Sequence, residues 1–486
     1  MPKNEYLLRS YEIEVDNKDI KQEQLTTYVR QKPNKKIIGL RFHLWLFNRS
    51  KPEKNNKWNN WLRKNGEEPV IWQQSLTDRT SEQLKLSLEN LGYYYATVTD
   101  TVLFKKKKAN VVYSIHTGWP YIVSKLTYSI PDTAIARLIF ADTTNTLIKP
   151  GILFDVTILD KERSRIETNL KNKGYYSFSA ERIEYDADTT HSNRTVTLQL
   201  QVNSHSERTE INQVIETPYP LYTIRSLTVN ASLSMQNLID TLNVSKTASD
   251  TLTRGETRFI IPHRFPVKAS TIGQSLYVFP DSLYRISDVN QTYQHLTALR
   301  NFRQVNIEFN EVPGQNGLLM RDLDCRINIL PFTRQSYTID LEGTNSDGNF
   351  GGAVSFLYQN KSLFGHAEIF DLRLRGMLEA VSSDNVGLFN FKTTMEYEAE
   401  ASINIPKFIL PFSSSKFIRM YSPRTIFSIL YNYQRRPLYE RSVFSTSFGY
   451  NWRGSEIIFH TVRPLDVNFV QLININPDFN AYLDRY

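Results

Sequence analysis

LFNFKTTMEYEAEASINI, residues 388–405, alternates along nearly its whole length. Phe389, Phe391, Met395, Tyr397, Ala399, Ala401, Ile403 and Ile405 take the odd positions. Asn390, Lys392, Thr394, Glu396, Glu398, Glu400, Ser402 and Asn404 take the even ones. Successive side chains of a strand point to opposite faces, so the pattern describes one apolar face and one charged face. Strands of water-soluble domains usually run for about five or six residues. An alternation held for about three times that length suits a strand that crosses a membrane and continues past it.

The same pattern extends in both directions. Tyr337, Ile339 and Leu341 alternate with Thr338, Asp340 and Glu342, and Asn345 to Asn349 has tight-turn composition. Phe370, Leu372 and Leu374 alternate with Asp371, Arg373 and Arg375. Phe427, Ile429, Tyr431 and Tyr433 form a further face, as do Phe444, Phe448, Tyr450 and Trp452. Residues Thr333 to about Val470 are thus expected to make roughly seven antiparallel strands. A soluble sandwich would also alternate, but strand length and the opposition of charged and aromatic faces favour a membrane barrel. Such barrels close on an even number of strands, because an open edge in hydrocarbon leaves backbone groups unpaired. A fragment of a longer chain is therefore expected, rather than a sheet completed by other chains.

Upstream, three segments share one design: SEQLKLSLENLGYYYATV, KERSRIETNLKNKGYYSFSA and VNQTYQHLTALRNFRQVNIEF. Leu84, Leu88 and Leu91 share a helical face in the first, Leu159, Ile166 and Leu170 in the second, and Val289, Tyr293 and Leu296 in the third. Gly92 and Gly174 fall where a helix must stop with positive φ, and Asn301 takes that place in the third copy. Tyr93, Tyr175 and Phe302 follow, placed to pack the outgoing strand on the helix. Two strand-like runs follow each helix, and a strand and a short helix precede it. The unit is β-α-α-β-β, roughly 80–100 residues long, repeated as an array. Residues 37–71 are a Trp-rich insertion in the first copy, and Ser232 to Pro266 reads as a polar loop in the third.

Composition narrows the classes. Hydrophobic residues make up 40% of the 486, and no run approaches the length of a membrane-spanning helix, which says nothing against a barrel. Tyr and Phe, 27 of each, favour strands, and Tyr also favours membrane interfaces. The net charge is +8, and Lys105 to Lys108 is the densest basic run, read as a solvated hairpin tip rather than a lipid or nucleic-acid contact. One cysteine, Cys325, excludes an internal disulfide and a cysteine zinc cluster. The opening MPKNEYLL has no signal-like apolar stretch, so a signal segment is expected to have been lost upstream. No nucleophile elbow, zinc helix or phosphate loop is present. His43 and His263 read as structural or solvated, and Asp340 with Glu342 as residues facing a wet lumen. No catalysis, cofactor, metal or nucleic-acid partner is expected.

KPNKKIIGLRFHLWLFN, NNWLRKNGEEPVI, QNKSLFGHAEIFDLRLRGMLEA and SPRTIFSILYNYQRRPLYERS resemble the BamA/TamA-type outer-membrane assembly family, closest to its Bacteroidetes branch of TamA-like lipoproteins. The resemblance covers nearly the whole chain. It implies periplasmic POTRA domains, each β-α-α-β-β, followed by a transmembrane barrel of about 16 strands, an even count as such barrels require. The implied divisions are POTRA-like domains at 1–118, 119–205 and 218–332, then the first part of the barrel at 333–486. The inward-folding loop and the closing strand of that family have no counterpart here.

The resemblance implies a cell outer-membrane location with the POTRA region in the periplasm. Unfolded outer-membrane or exported proteins would be captured as added strands on POTRA edges and at a lateral seam. The seam strand would comprise Tyr337, Thr338, Ile339, Asp340, Leu341, Glu342 and Gly343, with Gly343 leaving it weakly packed. A TamB-like periplasm-spanning protein and outer-membrane lipids are further expected partners. The alternatives are a two-partner-secretion export pore and a passive porin or receptor. Three POTRA-like units argue against the porin, and the third unit favours assembly over two-partner secretion.

Overall fold

Three times along the chain a strand leads through helices into two more strands, and the last of the three lies between the others. In the first repeat β1 (Leu7–Val15) runs parallel to β3 (Lys108–His116), which pairs antiparallel with β2 (Thr97–Lys105). In the second, β4 (Ile122–Ser129) is parallel to β6 (Thr195–Val202), which pairs with β5 (Ile183–Asp188). In the third, β9 (Leu221–Ala231) is parallel to β13 (Met320–Pro331), which pairs with β12 (Phe302–Val312). This computed structural model describes residues 5–475 apart from 38, 52, 54–55, 190–193, 209–213, 234–248, 255–256, 313–318, 347–348, 382–391, 410–416, 418–419, 438 and 456. Two units result: Met1–Leu170 with Ser177–Tyr219, and Lys171–Tyr176 with Pro220–Tyr486.

The first unit holds two repeats, each with its own dry core. Helix α1 (Gln22–Leu25) precedes the insertion, which forms α2 (Phe42–Arg49) and α3 (Lys57–Asn65) before the long α4 (Gln74–Asn90). Leu84 and Leu88 of α4 are fully buried against Leu8, Ile13, Val111 and Ile115. Tyr93 Nα donates to the Leu88 carbonyl and Gly92 Nα to that of Glu89, closing the helix with Gly92 at φ 90°. Between β2 and β3, Lys106 and Lys107 both take positive φ, the two-residue turn that matches strand twist.

In the second repeat α5 (Thr133–Ala141) is capped by Asp132, and α6 (Val156–Lys171) buries Leu159, Ile166 and Leu170. Glu162, 1% exposed, binds Arg165 on its own helix and ties α6 to the segment after α5 through Thr146 and the backbone N–H of Leu147. Burial alone would raise its carboxyl, but the bonds from Arg165, Leu147 and Thr146 hold it below the ordinary value. The hairpin of β7 (His205–Arg208) and β8 (Val214–Thr217) completes this unit.

The second unit departs from the polar loop expected over Ser232–Pro266. There β10 (Ser249–Arg254) and β11 (Thr257–Pro262) form a hairpin, and β11 joins β9 in parallel, giving the order β10-β11-β9-β13-β12. Phe259 and Ile261 enter the core, and pairing with β9 holds this Thr-rich stretch as a strand. Helix α7 (Ala269–Gln274) and α8 (Ile286–Ala298) cover the sheet. Along α8, Thr292 and Leu296 are fully buried while Tyr293, expected on that face, is 48% exposed. Arg300, not Asn301, takes the positive φ of 58°, because the helix ends at Ala298 and Asn301 leads directly into β12. Cys325 lies buried in β13, where burial pushes its thiol up to about 12.

The last body is a meander of β14 (Gln335–Ser346), β15 (Asn349–Lys361), β16 (Ile369–Val381), β17 (Lys392–Ile405), β18 (Arg424–Arg435), β19 (Tyr439–Arg453) and β20 (Phe459–Ile475). All neighbours are antiparallel and in sequence order. The fold is thus POTRA-like α+β repeats followed by a seven-stranded antiparallel sheet of part-barrel type. The shortest strands have 12 residues and reach about 40 Å, beyond the apolar band of roughly 25 Å that barrel strands cross. Residues 388–391 of the stretch quoted first lie outside the described residues.

Register sorts the two faces of this sheet. Ile339, Phe356, Leu374, Ala399, Tyr431, Phe444 and Phe469 stand side by side across all seven strands. On the opposite face, Ser336, Gln359, Asp371, Ser402, Ser428, Ser447 and Asp466 make an unbroken polar row.

Candidate functional site

The sheet offers its outer edge first. Among the described residues β14 pairs with β15 alone, so the other side of its backbone has no strand partner. The residues expected to form the seam sit on this edge. Tyr337, Ile339 and Leu341 are 65%, 67% and 79% exposed, and Thr338, Asp340, Glu342 and Gly343 are exposed with them. Gly343 does not enter the turn. It lies inside β14, opposite Gly352, and nothing stands within 4 Å of where its side chain would be. One rung of the β14–β15 ladder therefore lacks side-chain contact altogether, which weakens pairing there. The turn residues 347–348 lie outside the described residues.

Behind this edge the faces differ chemically. The polar face is tied strand to strand: Arg375 to Glu342 at 2.8 Å, Gln359 to Asp371 at 2.8 Å, Asn432 to Glu396 at 2.8 Å and Ser428 to Ser447 at 2.7 Å. Among the described residues the middle of the apolar face is uncovered. Leu374, Tyr431, Phe444 and Phe469 remain 43–62% exposed. A shallow apolar concavity runs over Val354, Phe356, Leu374, Tyr397 and Tyr431. A water-soluble sheet would cover such a face with a helix or a second sheet.

Strand edges recur in the repeats, and the repeats differ. Part of the β1 edge is occupied, since Leu8 Nα donates to the Val70 carbonyl and Trp72 Nα to that of Tyr6. The β4 edge is met at its start by the Ile152 carbonyl. The β9 edge is covered by β11. The second strands β2, β5 and β12 keep a free outer side among the described residues.

The helix-end residues mark joints as well as caps. The Gly92 carbonyl accepts from Tyr121 Nα at 2.9 Å, and a Cβ on Gly92 would stand 2.8 Å from the Phe154 carbonyl oxygen. The Gly174 carbonyl accepts from Tyr222 Nα at 2.9 Å, and a Cβ there would meet Leu283. The Asn301 carbonyl accepts from Phe332 Nα at 2.8 Å. Tyr93, Tyr175 and Phe302 are buried, as packing on the helix requires. The next residue does the joining in the first two cases: Tyr94 packs on Tyr121 and Phe154, and Tyr176 on Tyr222, Tyr284 and Phe309. The second Tyr of each Gly-Tyr-Tyr was the available signal.

Within the second unit, the third repeat grips the sheet through the β15–β16 turn. Ser362, Gly365 and Ala367 all take positive φ, a conformation that costs a non-glycine residue about 1–3 kcal/mol. The surrounding bonds sustain it. Ser362 Oγ donates to the Pro266 carbonyl at 2.7 Å, Lys268 Nα to Gly365 at 2.9 Å, and Asn301 Nδ2 to Ala367 at 3.0 Å. The buried Glu368 carboxylate accepts from the Phe364 and His366 backbones. A second grip lies at His295, whose ring contacts Tyr277 Oη and Ser422 Oγ, while Arg424 donates to the Ala298 carbonyl. Burial lowers the basicity of His295.

No protein-family model matches the chain, and no curated protein matches it. Solved structures do. BamA POTRA3–5 of Haemophilus influenzae is similar at 14% identity over 68% of this chain and 99% of that one, with a TM-score of 0.34. BamA of Haemophilus ducreyi lacking POTRA domains 1–3 is similar at 12% identity over 73% and 64%, with a TM-score of 0.32. CdiB of Acinetobacter baumannii is similar at 7% identity over 73% and 63%, with a TM-score of 0.26. The chain thus spans less than two thirds of the length of the last two. The architecture given above stands on strand order and register alone.

Proposed function

We propose that this chain belongs to an outer-membrane assembly or translocation factor of the TamA-like, Bacteroidetes type, with its repeats in the periplasm. One observation carries the reading: an exposed strand edge with a side-chain-free rung borders a sheet whose outer face is uncovered and apolar across every strand. Lipid is the solvent that such a face requires. An unfolded client meets the β2, β5 or β12 edge as an added strand, held by main-chain bonds that ask little of its sequence. It then pairs with β14 beside the Gly343–Gly352 rung. No covalent chemistry, cofactor or metal takes part. A TamB-like periplasm-spanning protein is the further partner of this reading.

The test is a photocrosslinking residue placed at Tyr337 or Leu341, in cells making the protein. Adducts with nascent outer-membrane barrel proteins support insertion at this edge. Adducts confined to one secreted protein favour the export-pore alternative, and adducts to lipid alone defeat both.

A further inference from the structure

The insertion of the first repeat carries a strong positive excess. Residues 32–64 hold ten Lys or Arg and a single acidic residue, Glu53, an excess larger than the +8 of the whole protein. The same segment exposes its largest rings. Phe42, Trp45, Trp58 and Trp61 are 49%, 51%, 67% and 48% exposed, and Leu40 is 73% exposed. These rings are ordered in pairs one helical turn apart: Phe42 stacks on Trp45 at 5.9 Å and Trp58 on Trp61 at 5.2 Å, with Arg49 over Trp45. Leu44, Leu46 and Leu62 are the buried apolar residues of α2 and α3, and the aromatic pairs stand outside that buried set.

The hairpin is also held firmly. Asn34, 2% exposed, donates to the Glu68 carbonyl at 2.7 Å and accepts from Val70 Nα at 3.1 Å, clamping the base. Glu67 Nα donates to the His43 carbonyl, and the His43 ring binds the Asn65 carbonyl. A Cβ on Gly66 would stand 2.7 Å from Phe47 Nα, so the helices close tightly there.

From this we infer that the α2–α3 hairpin docks on the anionic headgroup surface of a phospholipid bilayer. Indole rings favour the headgroup level, and neighbouring cations are drawn to anionic lipid. Charge type favours lipid over a protein groove. Seven of the ten cations are Lys, a residue depleted at protein interfaces but well suited to phosphate as a mobile point charge. The site lies in the first repeat, apart from β14, so its failure would leave the client-edge reading untouched.

The experiment uses the full chain kept soluble in a non-ionic amphipol. Flotation is measured with vesicles of phosphatidylethanolamine and phosphatidylglycerol, and with vesicles of phosphatidylcholine. Binding to the anionic vesicles alone is expected, weakened by salt and by about a hundredfold in a K51Q/K57Q/K64Q variant. W45A/W58A/W61A should lose binding and the blue-shifted emission that accompanies it. Amide protection at Leu8, whose N–H bonds the Val70 carbonyl, reports whether each variant keeps its fold. Equal binding to both vesicle types, no binding by the parent chain, or variants that bind undiminished would overturn the inference. So would capture of an acidic protein without vesicle binding.

Discussion

The repeats and the terminal sheet use the same alternation to opposite ends. In the second repeat, β6 buries Val196, Leu198 and Leu200 completely beneath helices. In the sheet, Ile339, Leu374 and Phe469 occupy the same kind of position, yet nothing among the described residues covers them. Each repeat carries its own solvent, a dry core made by α4, α6 or α8. The sheet must find its solvent outside the protein. On the proposed reading, this difference separates a domain that folds in water from one whose stability would belong to a bilayer.

The comparison breaks most visibly at Leu198. Leu198→Asp should destabilise the second repeat by about 4 kcal/mol or more, since it buries an unpaired charge. Hydrogen exchange should show protection lost in β4–β6 and kept in the sheet. Leu374→Arg is the counterpart. It should cost about 2–4 kcal/mol when the protein is folded into bilayers, because the arginine then faces hydrocarbon. An unchanged midpoint in a bilayer would show that this face does not meet lipid.

A smaller effect tests where the two regions meet. Asn301→Ala removes a buried donor shared by the Leu299 and Ala367 carbonyls, for a loss of about 1–3 kcal/mol. Exchange should rise at the β15–β16 turn before it rises in the core of the third repeat. The smallest effect is a pH dependence in the first unit. The Glu162 carboxyl is held below its ordinary value of 4.5, so its stabilisation is complete above that pH and is lost as pH falls through the depressed value. Urea melts should show about 1–3 kcal/mol of acid-sensitive stability that Glu162→Gln removes. A parent slope equal to the variant's below pH 4.5 would contradict the assignment.

Local patterns made much of this architecture legible. The three-fold strand order, the principal helices and the seven-strand meander all follow from periodicity and glycine placement. What escaped was set by partners far along the chain. Asn301 reads as a helix stop because Asn tolerates positive φ, but its amide is committed to Ala367, 66 positions away. Thr292 displaces Tyr293 from the core because its hydroxyl caps the Tyr277 N–H, a bond invisible to hydrophobic spacing. The β10–β11 hairpin hid in polar composition, since only the adjoining β9 edge makes a strand of it.

By itself, then, the amino-acid order determined which residues share a face, because the pleat of a strand and the turn of a helix are properties of adjacent peptide units. Tertiary structure alone decided what each face meets. Among the described residues the β14 edge stays open, the β9 edge is filled from within the chain, and a strained turn is held against the third repeat. The last two rest on hydrogen bonds between segments that only folding brings within reach.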